Sequence, residues 1–250
     1  MDILEFSATI LLELAATEPL MDVNSCDAVL PRQTRKIKPT RRSVSGVYPF
    51  RGETAIPFES TLERDFLIRS DFFVAVLDVI PQPVQIPFVG QNGQSYIYTP
   101  DFLVYYKLGN RDYSDYPKPL LVEVKPEGDW RKSWRQWLPK WKAARRYARS
   151  QGWVFRIFDE SRIRDKVLEN VRFLDRYKRM SFPDEDSKAV LASVEEMGAT
   201  PVHYLLARHF MGMYRGEGIA HIWALIATRR LDCDITQPLT EFSQVWIANV

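Results

Sequence analysis

The sequence predicts an α/β protein in which helices flank a mixed β-sheet, followed by a small C-terminal domain. Residues 96–106 are aromatic and β-branched, and residues 120–124 form an apolar run typical of a buried strand. The stretch between them, 107–119, is rich in glycine, aspartate and proline, so we expect a hairpin-like connection. A strand at 153–158 and a helix at 161–179 continue the pattern, and helices on both sides would cover the sheet.

Composition limits the classes of protein that the chain can represent. It has 250 residues, of which 46% are hydrophobic, and its formal net charge is only +2, so overall charge does not indicate nucleic acid. Cys26 and Cys233 form neither a disulfide framework nor a zinc motif, which suits a reducing cytosol. The apolar run at 8–16 is broken by Glu13 and has no basic flank, so we expect neither a signal peptide nor a membrane span.

The N-terminal part, residues 1–45, is predicted to hold a short helix at 1–20 and a basic arm. Residues 31–51 carry seven cations and no acid, interspersed with proline, serine and glycine. A solvated linker and an arm that contacts phosphates, with Arg41 and Arg42 as DNA-binding residues, both fit this composition.

A helix is predicted at residues 58–73, with Ser60 or Thr61 as its cap. Glu59 and Glu63 are one turn apart in that helix and would share a face, so either could project into a site as a carboxylate. A solvated helix acid is the alternative for each. Strands are expected at 74–80 and 84–88, and Asn92 with Gly93 is a strong hairpin-turn signal before the strand that carries Asp101.

Three charged residues lie where the two central strands end. Glu123 and Lys125 are two apart, so they point to one face of a strand while Val124 points to the other. Asp101 lies on the neighbouring strand, and pairing would bring it and Glu123 within reach of one divalent cation such as Mg²⁺. The lysine could orient a water or stabilise charge on a phosphate. Charged strand ends that merely face solvent are the alternative.

The segment after Lys125 is basic and aromatic. Residues 130–149 contain eight cations, no acid and four tryptophans spaced by four, three and four. Pro139 should interrupt a helix, so we expect the regular helix to cover only 138–150. Core packing is favoured over base stacking for the tryptophans, whereas the cations predict a phosphate track. Its expected DNA-binding residues are Arg131, Lys132, Arg135, Lys140, Lys142 and Arg145. Lys140 and Lys142 are also candidate helpers in the site.

The tail, residues 181–250, is predicted to be a separate domain of winged-helix type. Its helices are expected at 188–197, 200–210 and 217–228, followed by a hairpin of residues 231–235 and 242–247. Contact with DNA and contact with a protein are both compatible with this pattern, because a fold does not fix a function. The three histidines lack the spacing of metal ligands.

The order of Asp101, a hairpin and Glu123-x-Lys125 resembles the PD-(D/E)xK nuclease superfamily. A closer resemblance is to TnsA, the endonuclease subunit of heteromeric cut-and-paste transposases. It covers roughly residues 46–177 by motif and the tail by architecture. The matching motifs are Leu62-Glu63-Arg64-Asp65-Phe66, Gln82-Pro83, Thr99-Pro100-Asp101-Phe102 and Val122-Glu123-Val124-Lys125-Pro126.

The resemblance implies a restriction-endonuclease-like domain at residues 46–180 that nicks the 5′ ends of a transposon. Glu63, Asp101, Glu123 and Lys125 match the catalytic positions, with Glu59 as a rival for the helical role. One or two Mg²⁺ ions, for which Mn²⁺ is expected to substitute, would bind Asp101, Glu123, Glu63 and the Val124 carbonyl. Implied partners are double-stranded DNA at transposon ends, a TnsB-like DDE transposase and a TnsC-like ATPase that contacts the C-terminal domain. The implied location is the bacterial cytoplasm.

Two other functions remain open from the sequence. A stand-alone restriction or junction-resolving nuclease of the same superfamily would cut DNA without a partner. A catalytically inert DNA-binding subunit would bind DNA with a steep salt dependence but would not cleave it.

Overall fold

A computed structural model of the protein describes residues 32–34, 44–109, 112–212 and 215–248. The predicted N-terminal helix, Arg41, Arg42 and most of the basic arm lie outside these ranges. The described residues fall into two compact units that divide between Ile163 and Arg164. No helix in the described ranges is long and apolar enough to cross a membrane.

The first unit carries the predicted sheet and its flanking helices. Its elements are β1 (Gly46–Phe50), β2 (Thr54–Phe58), α1 (Thr61–Phe72), β3 (Val76–Pro81), β4 (Ile86–Val89), β5 (Ser95–Tyr98), β6 (Phe102–Tyr106), a 3₁₀ turn (Tyr113–Asp115), β7 (Leu120–Val124), α2 (Glu127–Ser150), β8 (Val154–Phe158) and α3 (Glu160–Ile163). Part of the predicted basic arm is therefore strand β1, which pairs antiparallel with β2.

The central sheet has four strands in the order β3-β6-β7-β8. Strands β3, β6 and β7 are antiparallel neighbours, whereas β7 and β8 run parallel. The parallel pair needs a crossover, which α2 provides. All five residues of β7 are buried, as expected for an apolar strand in the middle of a sheet. The prediction of a mixed sheet flanked by helices is confirmed.

The predicted strand at 96–106 is divided in two. Residues 95–98 form β5, which pairs with β4 in a separate hairpin, and only Phe102–Tyr106 belongs to the central sheet as β6. The turn at Asn92 and Gly93 closes the β4–β5 hairpin, where Gly93 has a positive φ of 76°. Asp101 therefore lies just before β6, in the connection between the two sheets.

Helix α1 begins later than predicted. Ser60 has extended backbone angles, and its hydroxyl accepts the Glu63 N–H at 3.1 Å, so it is the N-cap and helical geometry begins at Thr61. Glu59 lies before the cap and outside the helix. The expectation that Glu59 and Glu63 share one helical face was wrong.

The prediction that Pro139 interrupts the basic helix was also wrong, because α2 is one helix of 24 residues with Pro139 inside it. Proline has no N–H to donate to the carbonyl four residues earlier, which here belongs to Arg135. The side-chain amide of Gln91, from the β4–β5 hairpin, donates to the Arg135 carbonyl at 2.6 Å. A tertiary contact thus satisfies the group that the proline leaves unpaired.

The tryptophan stripe of α2 faces mainly inward. Trp141 is buried, and Trp130 and Trp137 pack against a core cluster that includes Leu121 and Phe155. The fourth, Trp134, is 44% exposed. Core packing is therefore confirmed for three of the four tryptophans.

The second unit contains α4 (Lys166–Asp175), α5 (Asp184–Met197), β9 (Thr200–Pro201), α6 (Val202–His209), α7 (Arg215–Ala227), β10 (Leu231–Cys233) and β11 (Gln244–Ile247). Its strands form an antiparallel sheet in the order β10-β11-β9. The helix predicted at 161–179 is two helices, because Asp165 adopts extended angles and accepts the Leu168 N–H as the N-cap of α4. Thr200 and Pro201, predicted to start a helix, instead pair with β11.

Candidate active site

Main-chain hydrogen bonds hold Asp101 beside the end of β7. Its N–H donates to the Val122 carbonyl at 3.0 Å, which extends the β6–β7 ladder by one residue. Its carboxylate Oδ2 accepts the Val124 N–H at 2.7 Å. Both bonds are made with the strand that carries Glu123, so Asp101 is fixed to the backbone of β7.

Gln82 holds the same position from the other side. Its N–H donates to the Asp101 carbonyl at 2.8 Å, and its own carbonyl accepts the N–H of Thr34 at 3.0 Å. Gln82 has a positive φ of 45°, which costs free energy for a residue other than glycine. Its buried side-chain Oε1 has no hydrogen-bond partner among the described residues. The sequence offered Gln82 only as part of a motif, without this role.

Glu123 and Lys125 meet Asp101 as predicted. The Lys125 ammonium lies 3.5 Å from Glu123 Oε1 and 3.9 Å from Asp101 Oδ2. The Lys125 N–H donates to the Phe158 carbonyl of β8 at 2.9 Å, which fixes the backbone just beyond β7. The two carboxylates and the lysine therefore converge where β6 begins and β7 ends, at one end of the central strands.

Two further side chains contact Glu123. The Tyr98 hydroxyl at the end of β5 donates to Oε2 at 2.6 Å. The Lys140 ammonium on α2 donates to Oε1 at 3.0 Å. Tyr98 carried no signal in the sequence, because its contact joins residues of two different sheets.

Lys140 differs from the other cations of α2. Its ammonium lies 4.8 Å from the ring centre of Tyr98, 4.9 Å from that of Trp137 and 5.9 Å from that of Trp141. At about 100° per residue, Lys140 lies on the helix face opposite Arg135 and Lys142. This angular position on the helix can be read from the sequence, and it distinguishes Lys140 from the cations that are predicted to bind phosphates.

The carboxylate of Glu63 is engaged at the start of α1. Its Oε1 accepts the Ser60 hydroxyl at 3.0 Å, and its Oε2 accepts the Glu59 N–H at 2.8 Å. The Glu63 N–H in turn donates to the Ser60 hydroxyl, so the arrangement is a variant of the capping box in which the glutamate accepts the N–H of Glu59 instead of that of the N-cap residue. Glu63 is buried near the site, and its charge acts on Asp101 and Lys125. Glu59 supplies a backbone donor to this arrangement.

The site concentrates negative charge in a poorly solvated place. Burial raises the pKa of Asp101 well above its ordinary value, and the charge of Glu123 raises it further. Burial also raises the pKa of Glu63. For Lys125, burial alone lowers the pKa, but the carboxylates of Asp101, Glu123 and Glu63 outweigh it and raise the pKa. Burial and Glu123 raise the pKa of Tyr98 well above its usual range, so its hydroxyl keeps the proton that it donates.

The donor set suits a hard divalent cation. Three carboxylates and two ammonium groups leave an excess of negative charge, and Mg²⁺ commonly uses one or two carboxylates together with substrate phosphate. Asp101 and Glu123 are the pair that would hold it. Within the described ranges, no group of three or more His, Cys, Asp and Glu side chains is placed to hold a metal ion. Both Glu63 oxygens accept hydrogen bonds at the start of α1.

The remaining cations predicted to bind DNA lie along the exposed face of α2. They are Arg131, Lys132, Arg135, Lys142 and Arg145. Arg131 donates to Glu127 at 2.8 Å, so part of its charge is compensated within the helix. Arg135 packs over the exposed Trp134 ring at 5.3 Å.

A mixed sheet with an aspartate, a glutamate and a lysine at one edge is the arrangement of the restriction-endonuclease-like class. Comparison with known families gives the same result. The family model described as TnsA-like endonuclease N terminal matches residues 74–160. The model described as TnsA endonuclease C terminal matches residues 162–235. A search of curated proteins found no match.

The two models together cover more than half of the chain. The protein therefore belongs to the TnsA family of transposition endonucleases. The resemblance inferred from the sequence motifs is confirmed.

Proposed function

We propose that the protein is a Mg²⁺-dependent DNA endonuclease that nicks the 5′ ends of a transposon during cut-and-paste transposition. It acts with a TnsB-like DDE transposase, which processes the 3′ ends, and with a TnsC-like ATPase. The observation that carries this proposal is the convergence of Lys125 with Glu123 and Asp101, at 3.5 and 3.9 Å, in a chain of the TnsA family.

Each site residue has a role that follows from its contacts. Asp101 and Glu123 would hold the metal, and a bound Mg²⁺ would lower the pKa of a coordinated water and polarise the scissile phosphate. Lys125 stays protonated because neighbouring carboxylates raise its pKa, so it can stabilise the negative charge that develops on the phosphate. Tyr98 and Gln82 keep Glu123 and Asp101 in place.

The exposed face of α2 is proposed to bind the DNA backbone next to the site. The helix starts two residues after Lys125, so Arg131 and Lys132 near its beginning follow the site closely in the chain. Contacts of this kind give affinity without sequence preference, and they weaken as salt concentration rises.

The C-terminal unit is proposed to bind a protein, namely the TnsC-like ATPase, and to have a winged-helix-like fold. In DNA-binding proteins of that kind, the recognition helix exposes its side chains to the major groove. Here, most of α7 is buried, including every residue of 221–227. Arg229, a cation just after α7, forms a bidentate pair with Asp232 at 2.8 and 2.9 Å. These features favour a protein partner over DNA.

The test is strand-specific nicking of a DNA that carries transposon ends, with Mg²⁺ and both partner proteins present. Asp101→Asn and Lys125→Met should each lower 5′-strand nicking by about 10²–10³-fold or more, because each removes a group that acts on the developing charge. Lys118→Met is the matched control for Lys125, since Lys118 is an exposed lysine outside the site. Unchanged nicking by Asp101→Asn would reject the site.

Two controls separate this function from its rivals. Metal-dependent cutting by the isolated chain, at the rate seen with partners, would favour a stand-alone nuclease. Binding of DNA by the wild-type protein without any 5′ nicking, even with both partners present, would favour an inert subunit.

A further inference from the structure

Lys140 is a buried cation for which the proposed reaction has no use. Its ammonium lies 3.0 Å from Glu123 Oε1, closer than the 3.5 Å from Lys125 to the same oxygen. The side chain of Lys140 is 17% exposed and that of Glu123 is 2% exposed. A contact between two such groups is only weakly screened by salt.

The aromatic rings around Lys140 attract its ammonium independently of Glu123. Tyr98, Trp137 and Trp141 surround it at distances within the range of cation–π attraction. Tyr98 is also the donor to the other oxygen of Glu123, at 2.6 Å. Tyr98 thus contacts both the Glu123 carboxylate and the Lys140 ammonium. With Trp137 and Trp141 it forms an aromatic cage, so the contact of Lys140 with Glu123 does not depend on a flexible surface side chain.

The oxygen that Lys140 contacts is the one that a metal ion would need. Tyr98 already donates to Oε2 of Glu123, which leaves that oxygen less free to coordinate an ion, and Oε1 faces the Lys140 ammonium. A protonated amine held there repels any divalent ion that approaches the same atom. Lys140 therefore cannot keep its 3.0 Å contact with Oε1 while a divalent ion is bound to the same oxygen.

We propose that Lys140 is an internal counter-ion that competes with a divalent cation for Glu123 Oε1. When the ion is bound, Lys140 leaves the carboxylate and is retained by its aromatic cage. This inference rests on the proposed metal-dependent function. It makes Lys140 a positioning residue that sets metal affinity through Glu123, in contrast to the phosphate-binding cations on the outer face of α2.

The test measures Mn²⁺ binding to the full chain in the absence of DNA, by calorimetry and by the electron paramagnetic resonance signal of free Mn²⁺. Lys140→Met should bind Mn²⁺ roughly tenfold more tightly than the wild type, because it removes a competing charge next to a ligand oxygen. Lys140→Arg keeps the charge and should remain within about twofold of the wild type. Lys142→Met removes a cation from the opposite face of the same helix and should leave Mn²⁺ affinity unchanged.

Three outcomes overturn the inference, and they differ in what else they reject. If wild-type Mn²⁺ binding is lost in Asp101→Asn but Lys140→Met binds no more tightly than the wild type, Lys140 does not compete and only this inference fails. If Lys142→Met tightens Mn²⁺ binding as much as Lys140→Met does, net charge alone sets the Mn²⁺ affinity. If the wild type binds no Mn²⁺, the proposed metal-dependent function fails as well. Lys140→Gln, which keeps a donor to Glu123, replaces Lys140→Met if the latter does not fold.

Discussion

The two compact units of the chain both bury polar side chains, but those in the first unit are mostly charged and those in the second are mostly neutral. At the edge of the central sheet, Asp101 and Glu123 share the positive charge of Lys125. In the second unit, His221 lies 2.7 Å from the Ser187 hydroxyl, and Asn170 donates to two backbone carbonyls. Burial disfavours charge in both units, so it raises the pKa of Asp101 and lowers that of His221.

The difference teaches which polar groups serve stability and which serve function. A neutral buried group with all its hydrogen bonds made is compatible with a stable core. An excess of buried carboxylates costs free energy, and charges in this situation tend to belong to functional sites. We therefore expect substitutions at the neutral groups to destabilise the protein and neutralisation of a site carboxylate to stabilise it.

The largest expected effect is at Asn170 in the second unit. Its amide donates to the Ile235 carbonyl at 2.8 Å and to the Gln237 carbonyl at 2.7 Å, which ties α4 to the chain after β10. Asn170→Ala leaves both carbonyls without this donor and should lower the free energy of unfolding by about 2 kcal/mol. Urea denaturation followed by circular dichroism measures the change.

The neighbouring residue Glu169 provides the matched control for Asn170. It is exposed on the same helix and pairs with Lys166, so Glu169→Ala should change the free energy of unfolding by less than about 0.5 kcal/mol. A loss in Asn170→Ala no larger than that of Glu169→Ala would mean that water replaces the amide without cost. The expectation that neutral buried groups stabilise the second unit would then be wrong.

A smaller effect, of opposite sign, is expected at Asp101. Asp101→Asn should raise the melting temperature by a few degrees in metal-free buffer, because it removes a carboxylate whose charge is opposed by burial and by Glu123. The amide oxygen can still accept the Val124 N–H, which now meets Oδ2 at 2.7 Å. The same variant should be inactive, so stability and activity would change in opposite directions.

Asp129→Asn is the control for a carboxylate outside the site. Asp129 is exposed in the first turn of α2, where a negative charge favours the helix, so its loss should lower stability slightly. If Asp101→Asn melts at a lower temperature than the wild type, the contacts of the site carboxylates stabilise them by more than their burial destabilises them.

The sequence predicted those features that depend on local pattern. The short apolar run at Leu120–Val124 was predicted to be a buried strand, and its bounds agree with the structure. The common face of Glu123 and Lys125 followed from strand periodicity, whereas Asp101 was expected on the neighbouring strand and instead lies just before β6. The features that agree require no knowledge of distant parts of the chain.

Features that depend on distant contacts could not be predicted in this way. Pro139 is tolerated inside α2 because Gln91, 44 residues before Arg135, donates to the Arg135 carbonyl that Pro139 leaves unpaired. The contact of Tyr98 with Glu123 joins two sheets, and no pattern within β5 indicates it. By contrast, helix α1 starts late for a local reason, since Ser60 is its cap, and the contacts of Ser60 with Glu63 also engage the carboxylate that the resemblance assigned to the metal.

The smallest expected effect is a difference in how the two units respond to pH. Burial and the charge of Arg230 lower the pKa of His221, while Asp186 and Glu217 act to raise it. The unfolded chain therefore takes up a proton first as pH falls below about 6.5, and the second unit loses stability by at most about 1.4 kcal/mol per pH unit for this group. The pKa of Asp101 is raised in the folded state, so the first unit should gain stability as pH falls through that pKa.

Hydrogen exchange read peptide by peptide, and corrected for the intrinsic pH dependence of exchange, separates the two responses. Between pH 7.5 and 5.5, protection should fall in α7 and should hold or rise in β6 and β7. His221→Phe removes one titrating group and should reduce the pH dependence in α7, leaving the share of His209, whose pKa burial also lowers. If protection falls equally in both units, the charged and neutral buried groups do not differ in their response to protons, and the contrast drawn from their contacts is wrong.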